Sequence, residues 1–149
     1  MKENLQHIFA ILVILGITTQ LGMSQTTDKV ILQLSACSYK NDFGRYHFKG
    51  EKVGENKCRI KISEMKGKSL ERSYEFNLQS LDISSIKVSK SISSESYRLK
   101  VYTKNKRNII KANIFGRKRI GNYFVVMSTK ETTVQQLKKA LVAAVQQCK

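Results

Sequence analysis

TVQQLKKALVAAVQQC, residues 133–148, decides how the rest of the chain is read. Val134, Leu137, Leu141, Val145 and Cys148 recur at steps of three and four, with Ala140 and Ala144 beside them. That spacing lays one apolar stripe along a helix. A helix of this length is marginal alone in water, so it needs a body to lie on. Working back from it, Ser128-Thr-Lys-Glu131 and Thr133-Val-Gln-Gln136 both fit a capping box, and the helix is predicted to start at one of them.

The body is a series of short alternating runs. Cys58, Ile60 and Ile62 alternate with Arg59, Lys61 and Ser63. Gly67-Lys68-Ser69 makes a turn, after which Tyr74, Phe76 and Leu78 alternate with polar residues. Folding these runs into a hairpin with apolar faces matched sets Ile60 against Phe76 and Ile62 against Tyr74. The same register sets Lys61 against Glu75 and Glu64 against Arg72, two pairs of opposite charge. Ile86 and Val88 mark a short strand. Tyr97, Leu99, Val101 and Thr103 alternate next, then Ile110, Ala112 and Ile114, and Tyr123–Met127 is rich in β-favouring residues. Lys104–Arg107 and Gly116–Gly121 read as basic turns between them, roughly 25 Å apart at about 3.3 Å per residue. The predicted class is α+β: an antiparallel meander of about seven strands, a bent sheet or partly open barrel, closed by one C-terminal helix.

The front of the chain differs. Lys2 precedes a ten-residue apolar block, Ile8–Ile17. Gly22 and Ser24 then stand at the small-residue positions of a cleavage site before Gln25. A membrane-spanning helix needs roughly 20 apolar residues, so residues 1–24 are predicted to be a cleaved signal peptide. The mature chain then has no transmembrane segment and is secreted or periplasmic. Residues 25–56 form an N-terminal strand and loop segment. Val30, Leu32, Leu34 and Ala36 alternate as in a strand, although a short helix also fits, and 41–57 holds at most one short strand, Arg45–Lys49. Residues 57–149 carry the meander and helix, and 25–149 make one domain.

The order of elements, resting on Tyr97–Cys148 within residues 57–148, resembles the pleckstrin-homology-like architecture. There, about seven strands form a bent sheet and a final helix closes one end. The chain is also similar to small secreted bacterial proteins of unassigned activity, which have a signal peptide, a meander and a late cysteine in the terminal helix. Neither resemblance implies an activity. The first implies an anion site at the first hairpin turn, here Lys66, Lys68 and Arg72, read as generic anion affinity.

An exported chain meets an oxidising compartment, so two of Cys37, Cys58 and Cys148 are expected to pair. Cys58 shares the parity of Ile60 and Ile62, and Cys148 lies on the helix stripe. Cys37 shares the parity of Gln33 and Ser35, away from the core. The expected bridge is Cys58–Cys148.

Chemistry is sparse. With residues 1–24 removed, His47 is the one histidine, between Tyr46 and Phe48, and no two carboxylates are spaced as a dyad. No metal-ligand spacing, phosphate-binding glycine motif or serine elbow is present. No cofactor is expected. Charge is the stronger signal: 27 basic against 11 acidic residues gives +16, which favours anionic polysaccharide, nucleic acid or membrane headgroups. Arg59, Lys61, Arg98, Lys100, Tyr102 and Lys111 fall on the outward parity and form the candidate anion-binding face. Matching Leu99 to Ala112 sets Lys100 against Lys111, a repulsion that an anion would relieve. The primary expectation is a non-enzymatic exported binding or structural module whose ligand is undefined. A binder of anionic polymer or lipid headgroups through the basic face is one alternative. A small enzyme using His47 or a free cysteine is another.

Overall fold

The computed structural model describes residues 26–92 and 94–148; the predicted signal peptide, 1–24, lies outside them. A helix, α1, covers residues 26–35. Nine strands follow: β1 Ser38–Asn41, β2 Gly44–Lys52, β3 Arg59–Lys66, β4 Ser69–Asn77, β5 Lys87–Lys90, β6 Tyr97–Tyr102, β7 Ile110–Ile114, β8 Arg117–Gly121 and β9 Tyr123–Ser128. The chain then enters α2, Glu131–Gln147. The strands form two antiparallel sheets, ordered β1-β2-β3-β4-β7-β8 and β5-β6-β9, and the sheet does not close into a barrel. The α+β class and the C-terminal helix stand as predicted; residues 57–149 hold seven of the nine strands, β3 to β9, and the strands lie in two sheets rather than one.

The β3–β4 register is the predicted one. Ile60 pairs with Phe76, Ile62 with Tyr74, Lys61 with Glu75 and Glu64 with Arg72. The inner face of this pair is fully apolar until Glu64, because Ile60 and Ile62 have no exposed surface. From β4 the chain leaves the large sheet through two tight turns. The Asn77 side chain accepts from Gln79 N and Asp82 accepts from Ser84 N, both at 2.9 Å. Such short polar side chains satisfy the free N–H groups that open a helical turn.

Three elements correct the reading. Residues 26–35 are helical, not extended: Val30 and Leu34, four apart, are fully buried while Leu32 is 66% exposed. The helix rests on β2 where Gly50 permits close approach, since a Cβ there would lie 2.8 Å from Leu34 Cδ1. Residues 38–52 form a complete hairpin, β1–β2, where at most one strand was expected. Residues 117–121, read as part of a basic turn, form the edge strand β8 paired with β7.

The expected β6–β7 hairpin is absent. β6 lies between β5 and β9, and β7 lies between β4 and β8. Residues 104–107 therefore carry the chain from one sheet to the other. Thr103, almost fully buried, anchors the crossing by donating its Oγ1 to Arg107 O at 2.6 Å. Lys100 consequently pairs with Lys87 and Val125, and the predicted Lys100–Lys111 pair does not form.

The stripe of α2 is buried as predicted, with Val134, Leu137, Leu141 and Val145 all at 0% exposure. It packs on β6, β9 and the turn Leu78–Ser80. Burying a leucine contributes about 2 kcal/mol, so this face outweighs the weak intrinsic stability of one helix. Neither capping box operates. Lys130 occupies the N-cap without a side-chain cap bond, and Ser128 Oγ instead accepts from Lys130 N at 3.3 Å. Glu131 in the first turn faces the positive end of the helix dipole. The predicted disulfide, Cys58–Cys148, ties the end of α2 to the start of β3.

Candidate functional site

Strand parity sends one set of basic side chains outward from each sheet, and the two sets meet different surroundings. On the large sheet, Arg59 pairs with Glu75 and Lys61 Nζ lies 2.9 Å from Glu51. Lys111 is the cross-strand neighbour of Glu75 and Ile120. Lys111 lines a shallow depression of about 630 Å³ with Lys61, Ser73, Glu75 and Lys118. Two cations of this face are met by acids, Arg59 by Glu75 and Lys61 by Glu51, while Lys111, Lys118 and Arg119 share the lining with Glu75 as its one acidic group. Exposed pairs of this kind are worth about 0–1 kcal/mol each.

The small sheet is different. Its strands read KVSK, YRLKVY and YFVVMS, with no acidic residue in any of them. Lys87 stands directly opposite Lys100, and Arg98 stands between Ser89 and Met127. Like charges placed across a ladder cost stability. Two tyrosines offset part of that cost. Tyr102 and Tyr123 are cross-strand partners with ring centroids 5.6 Å apart. The Lys100 ammonium sits 4.7 Å from one centroid and 4.2 Å from the other. Lys106, from the crossing segment, returns to within 5.7 Å of the Tyr102 ring. Exposed cation–π contacts contribute about 0.5–1 kcal/mol. A hydrogen bond from Lys100 holds the Tyr102 phenol below its ordinary pKa, helped by the nearby charges of Lys106 and Lys87.

The six candidate residues therefore do not share one face. Arg59, Lys61 and Lys111 belong to the large sheet, and Arg98, Lys100 and Tyr102 to the small one. Alternation alone gave each residue its side but not its sheet. Tyr123 and Lys106 complete the small-sheet cluster, and neither was a candidate from sequence. The opposition of Tyr102 and Tyr123 arises only from the β6–β9 pairing.

Cys37 immediately precedes β1, its carbonyl accepting from Phe48 N at 3.1 Å, and His47 lies within β2, on the opposite side of the hairpin from the thiol. Tyr46 and Phe48 face the core, so His47 points the other way. Cys37 is fully buried, not outward as its strand parity predicted, because the helix before it changes the phase. Its thiol donates to Gln33 O at 3.3 Å, and burial pushes its pKa up to about 12. The thiolate is the nucleophilic form, and burial disfavours it at Cys37. Among the described residues, no group of three or more His, Cys, Asp or Glu is placed to hold a metal ion. No described helix is long and apolar enough to cross a membrane.

No protein-family model, curated protein or solved structure matches the chain.

Proposed function

We propose that the chain is an exported, non-enzymatic binding module that holds a flexible anionic polymer on the outer face of the small sheet. One observation carries this reading: Lys87 and Lys100 are direct cross-strand neighbours on strands that contain no acidic residue. An anion bridging them relieves their repulsion. Tyr102 and Tyr123 add flat faces for sugars or bases to stack on. Two of the large sheet's candidate cations, Arg59 and Lys61, are already paired with Glu75 and Glu51, which makes that sheet the weaker candidate. The Cys58–Cys148 bridge supports the exported part of the proposal, since such bonds persist in oxidising compartments. The pleckstrin-like architecture remains part of it as well: residues 57–148, the span of the resemblance, hold seven strands, β3 to β9, and the terminal helix.

Heparin chromatography tests the face. Bulk charge is strongly screened by salt, so every variant is compared by its elution salt. Replacing Lys87 and Lys100 by Gln is expected to lower the elution salt clearly more than replacing Lys111 and Lys118. Equal shifts for the two pairs would mean that total charge alone sets retention, and the face would be discarded. Lys87→Glu has a second expected effect: by turning repulsion into attraction it stabilises the fold by a few tenths of a kcal/mol.

A further inference from the structure

At one end of the large sheet the register brings three hairpin turns together: Asp42-Phe43, Gly67-Lys68 and Phe115-Gly116. The inner face of the sheet forms a depression of about 410 Å³ there, with Phe43 and Phe115 both on its lining. That volume lies within the usual range for small-ligand sites. We propose that this depression binds a neutral saccharide, a site separate from the cationic face of the small sheet and independent of the reading given to that face.

Three features lead to this ligand class. The first is a fixed guanidinium. Glu64 is only 4% exposed, and its carboxylate accepts from the Tyr39 hydroxyl and lies 3.4 Å from Arg72 Nε. Arg72 also stacks on Phe115, 5.4 Å from Cζ to the ring centroid. Held at Nε by a buried acid, hydrogen-bonded to Tyr74 and flattened on a ring, its guanidinium is a preorganised group on the lining of the depression. A carboxylate with this little exposure is costly unless such partners compensate it.

The second feature is aromatic surface left open. Phe43 is 76% and Phe115 62% exposed. Phe115 also adopts φ 51°, a left-handed conformation uncommon for a bulky residue. Its amide donates to Glu71 O at 2.8 Å, which locks the turn. Below them Tyr39 and Tyr46 stack at 4.9 Å. The C–H face of a sugar ring carries slight positive charge and packs on the negative face of an aromatic ring. Its hydroxyls take planar donors and acceptors, which Arg72, Asn41 and Glu71 supply.

The third is charge balance. On a protein of net charge +16, the lining carries two basic groups, Lys66 and Arg72, and two acidic ones, Glu64 and Glu71. An anion receptor would not place two carboxylates there. A neutral ligand rich in hydroxyls is the better match.

The test uses the intact oxidised protein and three neutral disaccharides: cellobiose, maltose and N,N′-diacetylchitobiose. Amide shifts in NMR spectra are followed as each is added to millimolar concentration. At least one is expected to bind and to shift residues of the three turns. Phe43→Ser, Phe115→Asn (which keeps a residue tolerant of the left-handed turn) and Arg72→Lys are each expected to weaken binding about tenfold. Phe43→Ser should leave the thermal midpoint unchanged, because the ring is exposed. Lys100→Gln should leave sugar binding intact, which separates this site from the polymer face. The proposal is overturned if none of the three sugars shifts the turns, or if binding survives both phenylalanine changes. It is equally overturned if only a uronic-acid disaccharide binds and salt abolishes that binding, since charge would then be the determinant.

Discussion

Opening the Cys58–Cys148 bridge should remove a large share of the stability of the fold. The cross-linked residues are 90 apart in sequence. In the chain-entropy model, closing a loop of that length raises the free energy of the unfolded chain by about 4.6 kcal/mol. Domains have total stabilities of about 5–15 kcal/mol, so the bridge is a major contributor. At about 2.1 cal/mol/K per residue, residues 25–149 have an unfolding entropy of about 0.26 kcal/mol/K, and the loss corresponds to a fall in Tm of roughly 18 °C. The cleanest comparison is wild-type protein, oxidised against reduced, in urea. Both samples keep the same side chains, so the difference isolates the bond. A Cys58→Ala/Cys148→Ala variant should lose about 1 kcal/mol more, because both positions are buried and the alanines leave space. Coincident urea curves for oxidised and reduced protein would refute the reasoning. So would a peptide map of the oxidised protein that placed Cys37 in the bridge.

Two other expectations follow from buried groups. Burial holds the Cys37 thiol protonated to about pH 12, whereas in the unfolded chain it ionises near 8.5. The unfolded state thus binds fewer protons than the native one above pH 8.5, and stability falls as pH rises from there to 12, by at most about 1.4 kcal/mol per unit. Chemical denaturation of Cys37→Ala should show a shallower decline over that window, with a remaining slope above about pH 10 from Tyr39 and Tyr74, whose phenols are also raised by burial; an unchanged slope would rule out the thiol as its source. Gly50→Ala drives a methyl to 2.8 Å from Leu34 Cδ1 and 3.2 Å from Ile31 Cα, which should cost about 1–3 kcal/mol and speed amide exchange selectively in residues 26–35. Exchange rising equally across β3 and β4 would show that α1 is not the element displaced.

The sequence carried the local pairings better than the long-range ones. The β3–β4 register was legible because two constraints agreed: apolar parity placed Ile60 on Phe76, and charge placed Lys61 on Glu75 and Glu64 on Arg72. The α2 stripe was legible for the same kind of reason, a period sustained over four turns. The β6–β7 assignment failed because parity is blind to partner. Leu99 and Val101 match Ala112 and Ile110 as well as they match Val126 and Phe124, their actual partners. What decided the matter was the segment after Thr103, where Asn105 and Lys106 take positive φ and direct the chain to the other sheet. Residues 30–36 fitted both periods, and only the exposure of Leu32 distinguishes them. The candidate face inherited the topological error: each residue pointed outward, but from two sheets rather than one.

The arrangement of sheet borders has a consequence for self-association. β1 and β9 flank one another, with Thr129 N donating to Ser38 O at 2.9 Å, so those two margins are covered. Among the described residues, the two remaining margins are β5, KVSK, and β8, RKRIG. A bare strand margin is a template onto which a second chain can add, and lysine or arginine along it discourages that addition. Part of the cationic surplus of this protein therefore keeps copies apart irrespective of any ligand. Concentrated salt, which screens charge over a few ångströms, should be the condition under which the protein begins to polymerise margin to margin.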